Sequence, residues 1–65
     1  MILHVNGKEH TVSSVTLDEL IVEFELTKQL VVTEVDGVIV DREHWDSLTL
    51  KDGMKIELVH FVGGG

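Results

Sequence analysis

Three short turn signals limit what this chain can fold into. Asn or Asp is followed by Gly at Asn6-Gly7, Asp36-Gly37 and Asp52-Gly53. Both residues of such a pair tolerate positive φ angles, so the pair is typical of tight turns between strands. The segments around these turns are rich in β-branched and other apolar residues. The sequence therefore predicts short strands joined by tight turns.

The first turn predicts a hairpin formed by MILHV and KEHTV. With the Asn-Gly pair as a two-residue loop, Val5 faces Lys8 and Leu3 faces His10. Side chains alternate between the two faces of a strand, so we expect one face of this hairpin to be buried. The apolar residues on that face are Leu3, Val5 and Val12.

One helix is predicted after the hairpin, from about Leu17 to Glu25. Thr16 and Glu19 have the spacing of a capping box, in which each side chain bonds the backbone N–H of the other residue. Apolar residues then recur at helical spacing and form one stripe that faces a sheet. They are Leu17, Leu20, Ile21 and Phe24.

The remaining segments complete an α+β pattern. The segments LVVTEV and VIV flank the second turn, DREHWDSLTL predicts a short helical turn before a brief strand, and KIELVHFV is the last strand. Trp45 is interpreted as a cap on a small core, with a role as an interface anchor as the alternative. The order of elements predicts one main helix packed across a mixed sheet of four to five strands.

Composition narrows the class of protein. The 65 residues allow one domain, which we place at 1–62, and residues 63–65 are expected to form a flexible glycine tail. The formal net charge of −7 argues against nucleic-acid binding and favours a partner with a basic surface. No apolar run reaches the roughly 20 residues that cross a bilayer, so no membrane association and a cytoplasmic location are expected.

Few side chains offer chemistry of their own. Cysteine is absent, which excludes disulfides and thiol nucleophiles. The four histidines lack the spacing of metal ligands, so no metal site is predicted. The acidic residues Asp41, Glu43 and Asp46 are interpreted as a solvated face.

The chain ends in HFVGGG, and this ending allows two interpretations. In the first, the end is frayed, because glycine is conformationally free and adds little order at a chain end. Alternatively, the carboxylate of Gly65 has to reach a place that side chains cannot enter. Residues 63–65 would extend by roughly 10 Å.

Taken in order, these segments resemble the ubiquitin-like β-grasp proteins and, among them, the ThiS family of sulfur carriers in thiamin biosynthesis. The resemblance covers VNGK, TLDEL, VDGVIVDREHW, LKDGMKIELV and HFVGGG. There are departures from the family pattern. Asp41 stands where such carriers often have proline, and Met54 stands where an acid is common.

The resemblance implies a protein co-substrate rather than an enzyme, with no cofactor bound to it. An E1-like adenylating enzyme of the ThiF type would join the carboxylate of Gly65 to AMP from ATP. A sulfur donor such as a cysteine desulfurase would then leave a thiocarboxylate, which donates sulfur to a thiazole synthase of the ThiG type. Gly63 and Gly64 would thread into the partners' active sites. The alternatives are the small subunit of molybdopterin synthase, a protein modifier, or a structural β-grasp module.

A docking surface is predicted beside this tail. Strict alternation in the last strand places Ile56 and Leu58 on the core face and leaves Val59 and Phe61 on the other. We predict that these two residues, with Val62, form a patch that holds the activating enzyme. The alternative is that Phe61 folds over the edge of the sheet as part of the core.

Overall fold

The computed structural model describes residues 1–61. Its strands are β1 (Ile2–Val5), β2 (Lys8–Thr11), β3 (Val31–Val35), β4 (Val38–Val40) and β5 (Lys55–His60), and its α-helix is α1 (Leu17–Glu23). Two short 3-10 helices, Lys28–Leu30 and Arg42–His44, precede β3 and follow β4. Within residues 1–61, no helix is long and apolar enough to cross a membrane.

The five strands form one mixed sheet in the order β2-β1-β5-β3-β4. β1 and β5 run parallel, whereas the other neighbours are antiparallel. The last strand of the chain therefore lies in the middle of the sheet. This arrangement of one helix and a mixed sheet of five strands confirms the predicted fold class.

Two of the three predicted turns close hairpins. Asn6 and Gly7 have φ angles of 51° and 80°, and Asp36 and Gly37 have 48° and 87°. Positive values at both positions match the twist of the flanking strands. The predicted pairs of β1 and β2, Leu3 with His10 and Val5 with Lys8, are confirmed.

The third turn differs from the other two. Only Gly53 has a positive φ, 82°, and the N–H of Met54 donates to the carbonyl of Lys51 at 3.1 Å. The turn contacts the start of β1, where the N–H of Ile2 donates to Asp52 Oδ1 at 2.7 Å. It therefore leads into β5 and fixes the start of β1, and it does not close a hairpin.

Helix α1 begins where the sequence predicts. The N–H of Glu19 donates to Thr16 Oγ1 at 3.3 Å, and the N–H of Thr16 donates to Glu19 Oε1 at 3.0 Å, so the capping box is confirmed. The predicted end at Glu25 is wrong, because the helix ends at Glu23. Glu25 adopts a left-handed φ of 57° that stops the helix.

Among residues 1–61, twelve apolar side chains are buried and form one core that includes the buried face of α1. They are Leu3, Val5, Val12, Leu17, Leu20, Ile21, Val31, Val35, Trp45, Leu50, Ile56 and Leu58. Trp45 is 1% exposed, and its Nε1–H donates to the carbonyl of Val40 at 3.0 Å. This burial supports the predicted cap on the core and leaves no side-chain surface for an interface anchor.

The short helical turn at Arg42–His44 is confirmed, whereas the brief strand after it is reduced to a single bridge between Thr49 and Thr16.

Candidate functional site

The last described strand carries the residues that the sequence singles out. Ile56 and Leu58 are 0% and 7% exposed, whereas Val59 and Phe61 are 53% and 55% exposed. The predicted alternation of β5 is therefore confirmed. The exposure of Phe61 excludes the alternative that it is part of the core. Val62, Gly63, Gly64 and Gly65 lie outside the described residues.

Asn6 holds one side of β5. The parallel pairing of β1 with β5 ends at Val5 and Ile56, and the N–H of Asn6 donates to the carbonyl of Ile56 at 2.9 Å. The Asn6 side chain then takes the place of a further strand residue. Its Nδ2 donates to the carbonyl of Leu58 at 3.1 Å, and its Oδ1 accepts from the N–H of Leu58 at 2.7 Å. Sequence reasoning missed this contact. The only signal for it is that the first turn has Asn, which can both donate and accept, where the other two turns have Asp.

Strand β3 holds the other side of β5 over its whole length. The pairs run from Val35 with Ile56 to Val31 with His60. Beyond the strand, the N–H of Phe61 donates to the carbonyl of Leu30 at 2.7 Å. Backbone hydrogen bonding therefore continues to the last described residue, two positions before Gly63.

The exposed sheet face beside this end of β5 carries an apolar group of three residues. Val32 lies directly opposite Val59, and its side chain is 42% exposed. We call Val32, Val59 and Phe61 the apolar patch. Val32 was missed at the level of sequence, because its position depends on the pairing of β3 with β5.

Within the part of the chain that the structure describes, two carboxylates have a lowered pKa, and both lie at the helix. The pKa of Glu19 is lowered first by the backbone N–H of Val15 and then by that of Thr16. The pKa of Glu23 is lowered chiefly by the hydroxyl of Ser14, which donates to Glu23 Oε1 together with the Ser14 N–H at 3.0 Å. Since hydrogen bonds to the ionised form explain both shifts, these residues stabilise the fold.

One group of side chains could contact a metal ion. Oxygen or nitrogen atoms of Asp41, Glu43 and His44 lie within 4.8 Å of one another, and all three residues are exposed. Sequence spacing did not reveal this group. It lies at the 3-10 helix after β4, for which Asp41 is the N-cap, and every buried side-chain polar atom within residues 1–61 already has a hydrogen-bond partner.

These features define a class of protein. A mixed sheet around one capped helix, with the final strand in the centre and a glycine end following it, is the arrangement of a β-grasp domain of the ubiquitin-like kind.

Comparisons with known proteins identify the family. The model of the ThiS family matches residues 3–65. The sulfur carrier protein ThiS of Bacillus subtilis is 34% identical over 65 residues, which cover 97% of this chain and 98% of that protein. The crystal structure of the thiamine biosynthesis protein ThiS from Geobacter metallireducens is 36% identical, covers the whole of both chains, and superposes with a TM-score of 0.83. The chain belongs to the ThiS family.

Two further relatives are much longer than this chain. A thiazole synthase of Magnetococcus marinus is 32% identical over 66 residues, which cover 100% of this chain and 20% of that protein. A thiazole synthase of Paramagnetospirillum magneticum matches in the same way at 35% identity. Both synthases thus include a segment that is similar to the whole of this chain.

Proposed function

We propose that this chain is a sulfur carrier for the biosynthesis of the thiazole of thiamin, and that it acts as a protein co-substrate rather than as an enzyme. The observation that supports this most directly is the position of β5. The strand lies in the centre of the sheet, backbone hydrogen bonding continues beyond it to Phe61, and the three glycines follow after Val62 in the sequence. The family match includes these glycines.

The reacting group in this proposal is the carboxylate of Gly65. A carboxylate oxygen attacks the α-phosphorus of ATP on an adenylating enzyme of the ThiF type, and pyrophosphate leaves. The terminal sulfur of the persulfide on a donor such as a cysteine desulfurase then attacks the acyl carbon and displaces AMP, which leaves an acyl disulfide. A thiol reductant cleaves the S–S bond, so that the thiocarboxylate and the donor's cysteine are released and the reductant becomes a disulfide. The chain has no cysteine, so the carried sulfur resides on the chain end and on no side chain. ATP is bound by the adenylating enzyme and not by this protein.

Glycine at positions 63–65 suits a narrow entry to the partner's active site. Without a Cβ, Gly63 and Gly64 adopt any backbone conformation that such an entry requires. The apolar patch of Val32, Val59 and Phe61, extended by Val62, would hold the adenylating enzyme while the glycines enter. Large apolar residues that stay exposed near a functional chain end are typical of an interaction surface.

Thiazole synthase is the proposed acceptor of the sulfur. Support comes from the two bacterial thiazole synthases that include a segment similar to this whole chain. Such a segment in the same polypeptide indicates that a domain of this type acts next to that enzyme. We place the reactions in the cytoplasm.

The proposal is tested by intact mass after incubation with a ThiF-type enzyme, ATP, a cysteine desulfurase, cysteine and a thiol reductant. The expected result is a mass increase that equals the replacement of one oxygen by one sulfur. A chain that lacks Gly64 and Gly65 should stay folded and show no increase. The Bacillus subtilis carrier serves as the positive control, and its conversion without conversion of this chain would contradict the proposal.

Two related functions share the same tail chemistry. A small subunit of the molybdopterin synthase type would form the same thiocarboxylate, and a protein modifier would be transferred to lysines. Incubation of the thiocarboxylated chain with thiazole synthase distinguishes these functions. Formation of the thiazole would favour sulfur transfer in thiamin synthesis over both alternatives. Failure of that step after successful thiocarboxylation would favour the molybdopterin alternative.

A further inference from the structure

Two carboxylates lie directly opposite each other in the middle of the exposed sheet face. Glu34 on β3 pairs with Glu57 on β5. Their neighbours along each strand are buried, so both side chains lie on the face away from the core. Directly opposed residues of an antiparallel pair have Cβ atoms about 4.5–5.5 Å apart, and like charges at this distance destabilise a sheet.

Within residues 1–61, no lysine or arginine forms an ion pair with either glutamate. All five lysines and arginines lie within residues 1–61, and the ion pair found there joins Lys28 to Asp18 at 2.7 Å. Neither glutamate accepts a hydrogen bond from the described residues. Lys55 lies on the same face two positions before Glu57 but forms no ion pair with it. The free protein therefore keeps two adjacent carboxylates that no ion pair within the described residues neutralises.

Apolar side chains flank the two carboxylates on two sides. Ile39 lies opposite Glu34 on its other side and is 67% exposed. The next pair on the same face, toward the end of β5, is Val32 with Val59. A partner that covers these apolar residues would also remove the carboxylates from water, which is costly unless a cation meets them.

We propose that the Glu34–Glu57 pair binds an arginine of the adenylating enzyme that docks on this face. The inference rests on the proposed function and names the chemistry of its docking surface: a guanidinium flanked by apolar side chains. Arginine suits two opposed carboxylates better than lysine, because its planar group presents five donors and is more weakly hydrated. Charge complementarity supports this occupant, since the chain has a net charge of −7, which favours a basic partner surface.

The test compares glutamine variants in titrations with a ThiF-type enzyme at low and high salt. Glu34→Gln and Glu57→Gln should each raise the Kd by ~10-fold or more at low salt. The double variant should lose most of the salt dependence that the wild-type protein shows. Its denaturation midpoint should rise, because the like-charge pair is gone. The matched control is Glu43→Gln with Asp46→Asn, which changes the net charge equally but lies outside the sheet, and it should bind within ~3-fold of wild type.

The outcomes separate the inference from the proposed function. If wild type is thiocarboxylated and the double glutamine variant binds as tightly as wild type, the inference is overturned and the proposed function stands. If the control variant weakens binding as much as the sheet variant, the attraction is a general effect of net charge and the inference is again overturned. If wild type is not adenylated at any enzyme concentration, the proposed function itself fails.

Discussion

Substitution of Asn6 separates two contributions that this residue makes to the fold. Its backbone has a left-handed φ of 51°, and its side chain makes two hydrogen bonds to the backbone of Leu58. Asn6→Gly keeps the backbone conformation and removes both hydrogen bonds. Asn6→Ala removes the same bonds and adds the steric cost of a left-handed residue. Comparison of the two variants therefore separates the contribution of the side-chain hydrogen bonds from the contribution of the backbone conformation of the turn.

The expected losses follow from these contacts. Each hydrogen bond contributes about 0.5–1.5 kcal/mol net, and glycine also increases the freedom of the unfolded chain. We expect Asn6→Gly to lower the free energy of unfolding by about 2–3 kcal/mol. Asn6→Ala should cost about 1 kcal/mol more, because a Cβ is strained at this φ. A domain of this size has a total stability of roughly 3–10 kcal/mol, so both losses are large.

Denaturant unfolding and amide hydrogen exchange together test this prediction. The Leu58 amide should exchange faster in Asn6→Gly than the loss of global stability explains, because its acceptor is gone. Asp36→Gly is the matched control at the same position of the second hairpin, where Asp36 Oδ1 accepts one hydrogen bond, from the N–H of Lys55 at 3.0 Å. Equal stability losses in the two variants, with unchanged exchange at Leu58, would refute the reasoning.

Four further predictions address the patch, two backbone positions and acid stability. Phe61→Ala should weaken binding of the adenylating enzyme by about 2 kcal/mol or more, with a stability loss well below the roughly 3–5 kcal/mol of a buried phenylalanine; a large loss in unfolding experiments with unchanged affinity would place Phe61 in the core. Asp41→Pro should raise stability by about 0.4–1 kcal/mol, because Asp41 has a φ of −65° and its N–H donates no backbone hydrogen bond within residues 1–61. An unchanged or lower denaturation midpoint would contradict this. Glu25→Gly should add about 1 kcal/mol by relieving the left-handed residue after α1, and a thermal scan without an increase would show that the conformation carries no strain. Hydrogen bonds lower the pKa of Glu23 below its ordinary value of 4.5, so its stabilising effect is fully present above that pH and is lost as the pH falls through the lowered pKa. Glu23→Gln should flatten this acid-side fall in the denaturation midpoint, and an unaltered pH profile would exclude the assignment.

Local signals predicted much of the fold. The Asn-Gly and Asp-Gly pairs predicted both hairpins, because positive φ at two successive positions is a property of those residues themselves. The capping box predicted the first residue of α1, since Thr16 and Glu19 are three positions apart. Alternation along β5 predicted the exposure of Val59 and Phe61. Each of these features depends on neighbours in the sequence.

The remaining features depend on contacts that local patterns do not contain. The end of α1 was predicted too late, because Glu25 takes the left-handed position where glycine is the usual signal. The N–H groups of Glu25 and Leu26 donate to the carbonyls of Val22 and Ile21 at 2.9 and 3.1 Å, and this pair of bonds closes the helix without glycine. Asn6 contacts a residue 52 positions away, and such a pair follows only from the strand order. The same order brings together the two glutamates of the exposed face.

The exposed face and the ends of the elements have opposite effects on stability. The face keeps half-exposed valines and a phenylalanine, which contribute less than core residues, and two opposed carboxylates, which destabilise the free domain. Hydrogen bonds at the ends of elements offset this cost: the capping box of α1, the closing bonds after Glu23, and the Asn6 side chain on β5. None of these groups lies in the apolar patch. Substitutions in the surface that we assign to docking should therefore cost less stability than substitutions in the core, which leaves that surface free to match its partner.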